Sequence, residues 1–219
     1  MAERVLLDLG YYSETKNSIL IEAIKLFAVK GFGAVSIRDI AKSSGLNIAS
    51  IYYYYESKES LMKDIFEYVE KGYRHYYEWL INENNNVNSL EELLDVLFNK
   101  ELLEMADPMV CLGISLAIKE QHNNKHAQRF VIEVLTEHSI KSIQSGFDGL
   151  VERGKIKPFD TQALATLLLF SAVAINDLRL HEFAYGESSI NQMEMYESLK
   201  KYVAATHQYD GEKSQGSEA

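Results

Sequence analysis

The sequence predicts an all-α protein with a small N-terminal three-helix head and a larger helical body, and three observations predict it. Only two prolines occur in 219 residues, of which 47% are hydrophobic, so long helices can run uninterrupted and bury a sizeable core. Apolar residues recur at helical spacing behind Ser or Asn caps. Between Ser36 and Leu61, SIRDIAKSSGLNIASIYYYYESKESL reads as two short helices and a tight turn leading into a third, long helix, a helix-turn-helix layout.

Residues 1–13 are expected to form a short arm. A first helix spans about Glu14 to Lys30, with Ile19, Ala23, Leu26 and Phe27 on one face and Gly31 and Gly33 ending it. Ser36 is placed to cap a short helix carrying Ile37, Ile40 and Ala41. Gly45 stops it, since a residue without Cβ enters the left-handed region cheaply. Asn47 caps the second short helix, in which Ile51 points inward. Ser57-Lys58-Glu59-Ser60 is a capping box with Ser60 where Glu is usual, and so is expected to be half formed.

A long helix from about Lys58 to Asn82 carries Leu61, Ile65, Tyr68, Val69, Tyr73, Tyr76 and Trp79 and is expected to join head to body. The run Asn82 to Asn86 reads as a loop. Ser89 caps a helix from about Leu90 to Met105, and Asp107-Pro108 opens another that ends near His122-Asn123-Asn124. One helix is expected from about Lys125 to Arg153, with Gly146 and Gly149 permitting close packing and Gly154 and Pro158 closing it. Thr161 to Tyr185 is apolar on more than one face and must be covered on several sides. A last helix spans about Ser189 to Thr206, and the polar tail 207–219 is expected to be disordered.

Ala23, Leu26-Phe27, Gly31-Phe32, Ile40-Ala41, Gly45, Ser50-Ile51-Tyr52-Tyr53 and Ser57-Lys58-Glu59-Ser60-Leu61 together resemble the signature of the TetR family of transcriptional repressors, over roughly residues 15 to 62. The chain departs from that pattern at Ile48 and Ala49, where polar residues, Pro or Gly are common, and at Tyr54 and Tyr55, where His and Phe are frequent. The resemblance implies a DNA-binding head over 1–60 and a ligand-binding and dimerisation body over 61–206. It implies a homodimer that represses transcription from palindromic double-stranded operator DNA until a small apolar or cationic effector binds.

The resemblance also assigns residues. It carries base or thymine-methyl contact onto Tyr53, phosphate hydrogen bonding onto Tyr52 and Tyr54, and phosphate contact onto Ser36, Ser50 and Lys58, while Tyr52 and Tyr55 equally read as rings packed between helices. Arg38 reads as a guanine or phosphate contact, or as an ion-pair partner of Asp39 or Glu56. Asn47, Ile48 and Ala49 complete the candidate DNA-binding set. Tyr76, Trp79, Met105, Met109, Cys111, Leu112, Phe130 and Val134 are the candidate effector lining, although each also reads as core, and Glu101, Glu104 or Glu133 nearby would suit a cation. The dimer is expected through the last two long helices, at Leu167, Phe170 and Ala174.

Charge and composition narrow the alternatives. The net charge of −10 lies outside the head, where residues 1–60 hold seven basic and seven acidic side chains and the rest holds fifteen against twenty-five. A neutral head binds DNA weakly outside its site, because phosphate neutralisation supplies most non-specific affinity. The single cysteine, Cys111, excludes an internal disulfide framework and is expected to be a buried small hydrophobe. With no leader-like N-terminus and no membrane-length apolar run, a cytoplasmic location without membrane partners is expected. His122 and His126 have the spacing of metal ligands, but the intervening Asn-Asn-Lys breaks the helix that would align them, so no metal is expected. No phosphate loop, cysteine cluster or nucleophile pattern occurs, so neither a cofactor nor an enzyme is expected. Two other classes compete with a ligand-responsive repressor: a DNA-binding protein without an inducer, and a helical ligand-binding or scaffold protein that does not bind DNA.

Overall fold

The computed structural model describes residues 13–84, 86–98, 108–185 and 191–207, and every regular element among them is helical. In order these are α1 (Glu14–Lys30), α2 (Ile37–Ser43), α3 (Ile48–Tyr54), α4 (Lys58–Asn84), α5 (Leu90–Leu97), α6 (Pro108–Glu120), α7 (Lys125–Arg129), a π-helix (Phe130–His138), α8 (Ser139–Glu152), α9 (Thr161–Tyr185) and α10 (Gln192–His207). None is long and apolar enough to cross a membrane.

The chain divides into two compact units. The first gathers the described residues of Met1–Tyr76, Glu101–His138 and Leu180–Glu187; the second gathers those of Tyr77–Lys100, Ser139–Arg179 and Ser188–Ala219. In the first, α1 buries Ile19, Leu20, Ala23, Ile24 and Phe27 completely. Ile40 of α2, Ile51 of α3 and Leu61, Met62 and Ile65 of α4 are likewise fully buried. Phe130 stacks on Phe66 at 6.3 Å and meets Tyr73 edge-on at 5.9 Å, so an aromatic layer joins α4 to the π-helix. In the second unit, Leu93 and Leu94 of α5 are buried and Phe98 packs on Tyr196 of α10 at 5.4 Å. There Asp160 caps α9, its Oδ1 accepting the Ala163 N–H at 2.9 Å, Thr161 donates to Asp148 of α8 at 2.5 Å, and Arg153 donates to the Val87 carbonyl at 2.9 Å.

Several boundaries differ from expectation for local reasons. The Ser57 box is complete, because the short Ser60 hydroxyl reaches back to the Ser57 N–H at 3.2 Å while Ser57 Oγ accepts the Ser60 N–H at 3.0 Å. α4 continues through Asn84, so the asparagine run begins as helix and turns only at its end, where the Asn86 N–H closes onto Glu83 at 2.9 Å. α5 runs from Leu90 to Leu97 with Phe98 as its C-cap, and the remainder of the expected helix, from residue 99 to Met105, lies outside the described residues. The expected single helix from Lys125 to Arg153 contains a π segment instead. There Thr136 Oγ1 donates to the carbonyl five residues back at 2.7 Å, and His138 Nδ1 lies 2.6 Å from the carbonyl of Glu133. Side chains that bond at this offset favour the wider turn over α-helix, and β-branched Val131, Ile132, Val134 and Thr136 are the residues that crowd an α-turn most.

Gly146 is buried in α8, and the close approach that a glycine permits is seen at Gly113 and not at Gly149. A Cβ at Gly149 would meet only the guanidinium of its own helix's Arg153 at 3.1 Å, whereas one at Gly113 would lie 2.1 Å from Val69 Cγ2. Gly113 therefore sets the approach of α6 to α4.

Candidate nucleic-acid interface

The α2–turn–α3 segment is held by its own polar side chains. Ser36 Oγ accepts the Asp39 N–H at 3.2 Å, and Asp39 Oδ2 accepts the Ser36 N–H at 2.8 Å and its hydroxyl at 2.5 Å. Those bonds from Ser36, side chain first and backbone second, hold the Asp39 carboxyl below the usual range. Gly45 turns the chain at φ +69°, and the Leu46 N–H closes onto the Ala41 carbonyl at 2.9 Å. Asn47 then caps α3, its Oδ1 accepting the Ser50 N–H at 2.8 Å and the Ser50 hydroxyl at 3.1 Å.

Ile51 anchors α3 with no exposed surface, which turns Ile48, Ala49, Tyr52 and Tyr53 outward. Tyr53 is 83% exposed and Tyr52 53% exposed. Tyr54 is half-buried; its hydroxyl accepts from Ser13 at 3.4 Å and its ring meets Tyr53 edge-on at 5.0 Å. Tyr55 is buried, so of the two rings that equally suited packing, Tyr55 packs and Tyr52 does not.

The cations are unevenly available. Arg38 is exposed and, among the described residues, pairs with neither Asp39 nor Glu56. Lys58 is turned inward: Nζ donates to the Phe32 carbonyl at 2.7 Å and to the Val35 carbonyl at 2.9 Å and lies 4.2 Å over the Phe32 ring. Two of its three N–H donors are thereby committed to the α1–α2 loop.

That loop is also tied to α6, which sequence reasoning missed. Glu120 accepts the Phe32 N–H at 3.1 Å, and Lys119 donates to the Ala28 carbonyl at 3.4 Å, so the end of α6 caps the end of α1. No periodicity marks such residues, because the contact joins positions 88 and 91 apart. α4 itself is fastened by Lys16–Asp64 at 2.7 Å and by Glu70, which pairs with Arg74 at 2.7 Å and with Arg129 of α7. Burial opposes ionisation of Glu70, but the bonds from Arg74 and Arg129 outweigh it and lower its pKa.

The described candidates for the effector lining divide into buried and half-buried residues. Leu112, Phe130 and Val134 are buried, and Phe130 is committed to Phe66 and Tyr73 as core. Met109 and Cys111 are half-buried, so Cys111 is not the sealed hydrophobe expected. The side chains of Tyr76 and Trp79 lie outside the described residues, as do Glu101, Glu104 and Met105. Glu133 is exposed and pairs with Arg129 at 3.4 Å. In the second unit, a groove of about 350 Å³ opens between α5 and α10 along Leu90, Leu94, Lys200 and Ala204, and none of the candidates lines it. His122 and His126 are separated as expected: α6 ends at Glu120, whose carbonyl accepts the Asn123 and Asn124 N–H groups at 2.9 Å. On α9, Leu167 is 66% and Phe170 55% exposed, and Ala174 continues the same exposed stripe.

Residues 19–65 match the family model for bacterial regulatory proteins of the tetR family. The chain is 30% identical over 135 residues to YttP of Bacillus subtilis strain 168, named a "probable HTH-type transcriptional regulator", covering 61% of this chain and 57% of that one. It is 26% identical over 121 residues to IcaR of Staphylococcus epidermidis, the HTH-type negative transcriptional regulator of the biofilm operon icaADBC, covering 55% and 63%. The matches thus span little more than half the length of these curated relatives. In fold it is similar to FadR of Bacillus subtilis, solved in complex with stearoyl-CoA, with a TM-score of 0.63, 15% identity and coverage of 85% and 96%.

Proposed function

The chain is a member of the TetR family of bacterial regulatory proteins, and from that premise we propose that it is a dimeric, ligand-responsive repressor that binds palindromic operator DNA through α3. One observation carries the reading: α3 is pinned by buried Ile51 and presents Ile48, Ala49, Tyr52 and Tyr53 to solvent, an arrangement useless to the head's own core and suited to a major groove. Arg38, one helix earlier, meets the phosphate backbone. Ser36 and Ser50 spend their hydroxyls on caps, and Lys58 holds the loop, so their part is to set the angle of α3.

Dimerisation supplies the affinity that a neutral head lacks. The stripe of Leu167, Phe170 and Ala174 on α9 is its proposed seat, with Met195 and Tyr202 on the exposed side of α10. The functional division is a head over 1–60 and a body over 61–206. An effector is an apolar or cationic small molecule; stearoyl-CoA is the ligand of FadR and supports only the capacity of such a body to hold one.

Coupling runs by two routes. α4 is one helix of 27 residues, about 40 Å long, that starts at the head. The Glu120–Phe32 and Lys119–Ala28 bonds tie α6 to the same head. A shift of either helix changes the pitch of α3, so ligand and DNA oppose each other with a coupling of ~1–3 kcal/mol, equal in both directions. The test is footprinting of DNA flanking the chain's own gene, followed by titration of the complex with metabolites and lipophilic cations. A two-fold repeat protected by the protein and released by one compound, with operator weakening that compound's affinity by the same factor, is the expected result. A protected single half-site, or release without reciprocal loss of affinity, refutes it.

A further inference from the structure

Resting on the DNA-binding reading above, we propose that Lys42 is a further phosphate-binding residue of the head, making with Arg38 one cationic edge along α2. The basic side chains described in the head sort by what each touches. Lys16 pairs with Asp64 and Lys25 with Glu22, both at 2.7 Å, and Lys58 is held by the Phe32 and Val35 carbonyls. Lys30, Arg38 and Lys42 are exposed and, among the described residues, enter no ion pair or hydrogen bond. Lys30 ends α1, where a cation offsets the helix dipole. Arg38 and Lys42 both stand on α2.

The helix sorts its own side chains into three stripes. Ile40 and Ala41 are buried. Asp39 and Ser43, four residues apart, are spent: the Asp39 carboxylate accepts from the Ser36 N–H and hydroxyl, and the Ser43 hydroxyl donates to Glu22 of α1 at 2.5 Å. Arg38 and Lys42, also four apart, form the third stripe, about 6 Å from one Cα to the next along the axis. Asp39 is three residues from Lys42 and is the neighbour that would neutralise it, but the capping box turns that carboxylate to the start of the helix. The Ser43–Glu22 bond seats one flank of α2 against α1, which leaves the two cations on the other. In this layout the first helix of the pair crosses the phosphate backbone, and an ammonium binds phosphate as a point charge. Lys42 thus carries an unspent charge on the helix that meets the backbone.

The test uses the full-length protein on a duplex that it selects from a random library, with affinity measured from about 50 to 200 mM salt. Lys42→Gln removes the charge and keeps a side chain of similar helix propensity. Loss of one phosphate contact should lower the slope of log affinity against log salt by ~0.9 for each bound head, so the variant's deficit shrinks ~3.5-fold per head over that range. The deficit should be about equal on the selected and on a scrambled duplex, because phosphate carries no sequence. Lys42→Arg should restore the slope. A cation in the last turn of α2 also complements that helix's dipole, a role that would lower the urea midpoint and leave the salt slope unchanged. An unchanged slope in Lys42→Gln therefore overturns the inference. So does a loss confined to one base pair, or an equal fall in Lys125→Gln, which removes an exposed charge from α7. Unaltered protein that selects no duplex above competitor DNA overturns the DNA-binding reading itself, and this inference with it.

Discussion

Replacing Gly113 with alanine tests the packing that joins α6 to α4. The added Cβ would lie 2.1 Å from Val69 Cγ2 and 3.4 Å from its Cβ and Cγ1. Carbon atoms rest at about 3.5–4.0 Å, so the first of these contacts is short by roughly 1.5 Å. Val69 has no exposed surface, and a β-branched side chain in a helix has one strongly preferred rotamer, so it cannot swing aside. Either the helices part or Val69 strains, at a cost of about 1–3 kcal/mol. Against this, Gly→Ala inside a helix gains about 1 kcal/mol from propensity. The clash involves a stiff, buried branch and so belongs at the upper part of its range, leaving a net loss of about 1–2 kcal/mol. Urea unfolding at one fixed protein concentration reads it without interference from any change in association. Val69→Ala in the Gly113→Ala background removes the obstructing methyls, so the double variant should lose about 1 kcal/mol or more less than the two single losses added. A Gly113→Ala protein as stable as its parent, or strictly additive losses, would show that the two helices are not locked at this crossing.

Ala174→Glu places a charge in the exposed stripe of Leu167 and Phe170 and should yield monomers that bind operator poorly; an intact dimer by light scattering places the interface elsewhere. Arg38→Ala should weaken binding about equally on all DNA sequences and lower the salt slope by about one; a loss confined to one base pair would make Arg38 a base reader. Acid should destabilise the fold in two stages. His126 titrates below the usual range, first because of burial and then because of Lys125, Lys63 and Arg129, so the unfolded chain takes up that proton first and stability falls as pH drops through about 6.5. Glu22, lowered by bonds from Lys25 and Ser43, and Glu70 contribute stability that is present above about pH 4.3 and lost as pH falls further. Urea midpoints against pH measure both stages, and an unchanged slope between about pH 7.5 and 5.5 in His126→Gln would remove the first.

Local chemistry was legible in the sequence wherever a residue's role depends on its near neighbours. Ser36 and Asn47 cap the helices they precede, Gly45 and Gly154 take positive φ, and Ile51 faces inward, because caps, turns and helical faces are decided within a few residues along the chain. Both α1 and α9 run between their expected ends, Glu14–Lys30 and Thr161–Tyr185. The layout of the head, its neutrality and the exposure of Tyr53 follow from the same short-range information. The resemblance to the TetR family likewise lies within residues 15 to 62, and residues 19–65 match that family's model.

Tertiary structure decided whatever depends on which distant atoms meet. Lys58 looks like a phosphate ligand until the Phe32 and Val35 carbonyls arrive at its ammonium. Phe130 looks like pocket lining until Phe66 and Tyr73 close over it. Gly113 carries no local signal, since its need for a bare Cα is imposed by Val69 on another helix. The Glu120 bond to the Phe32 N–H joins residues 88 apart. A helix's period is written in the chain, but the partner that covers each face is chosen only when the faces pack, because close-packed contact is short-ranged in space and indifferent to separation in sequence.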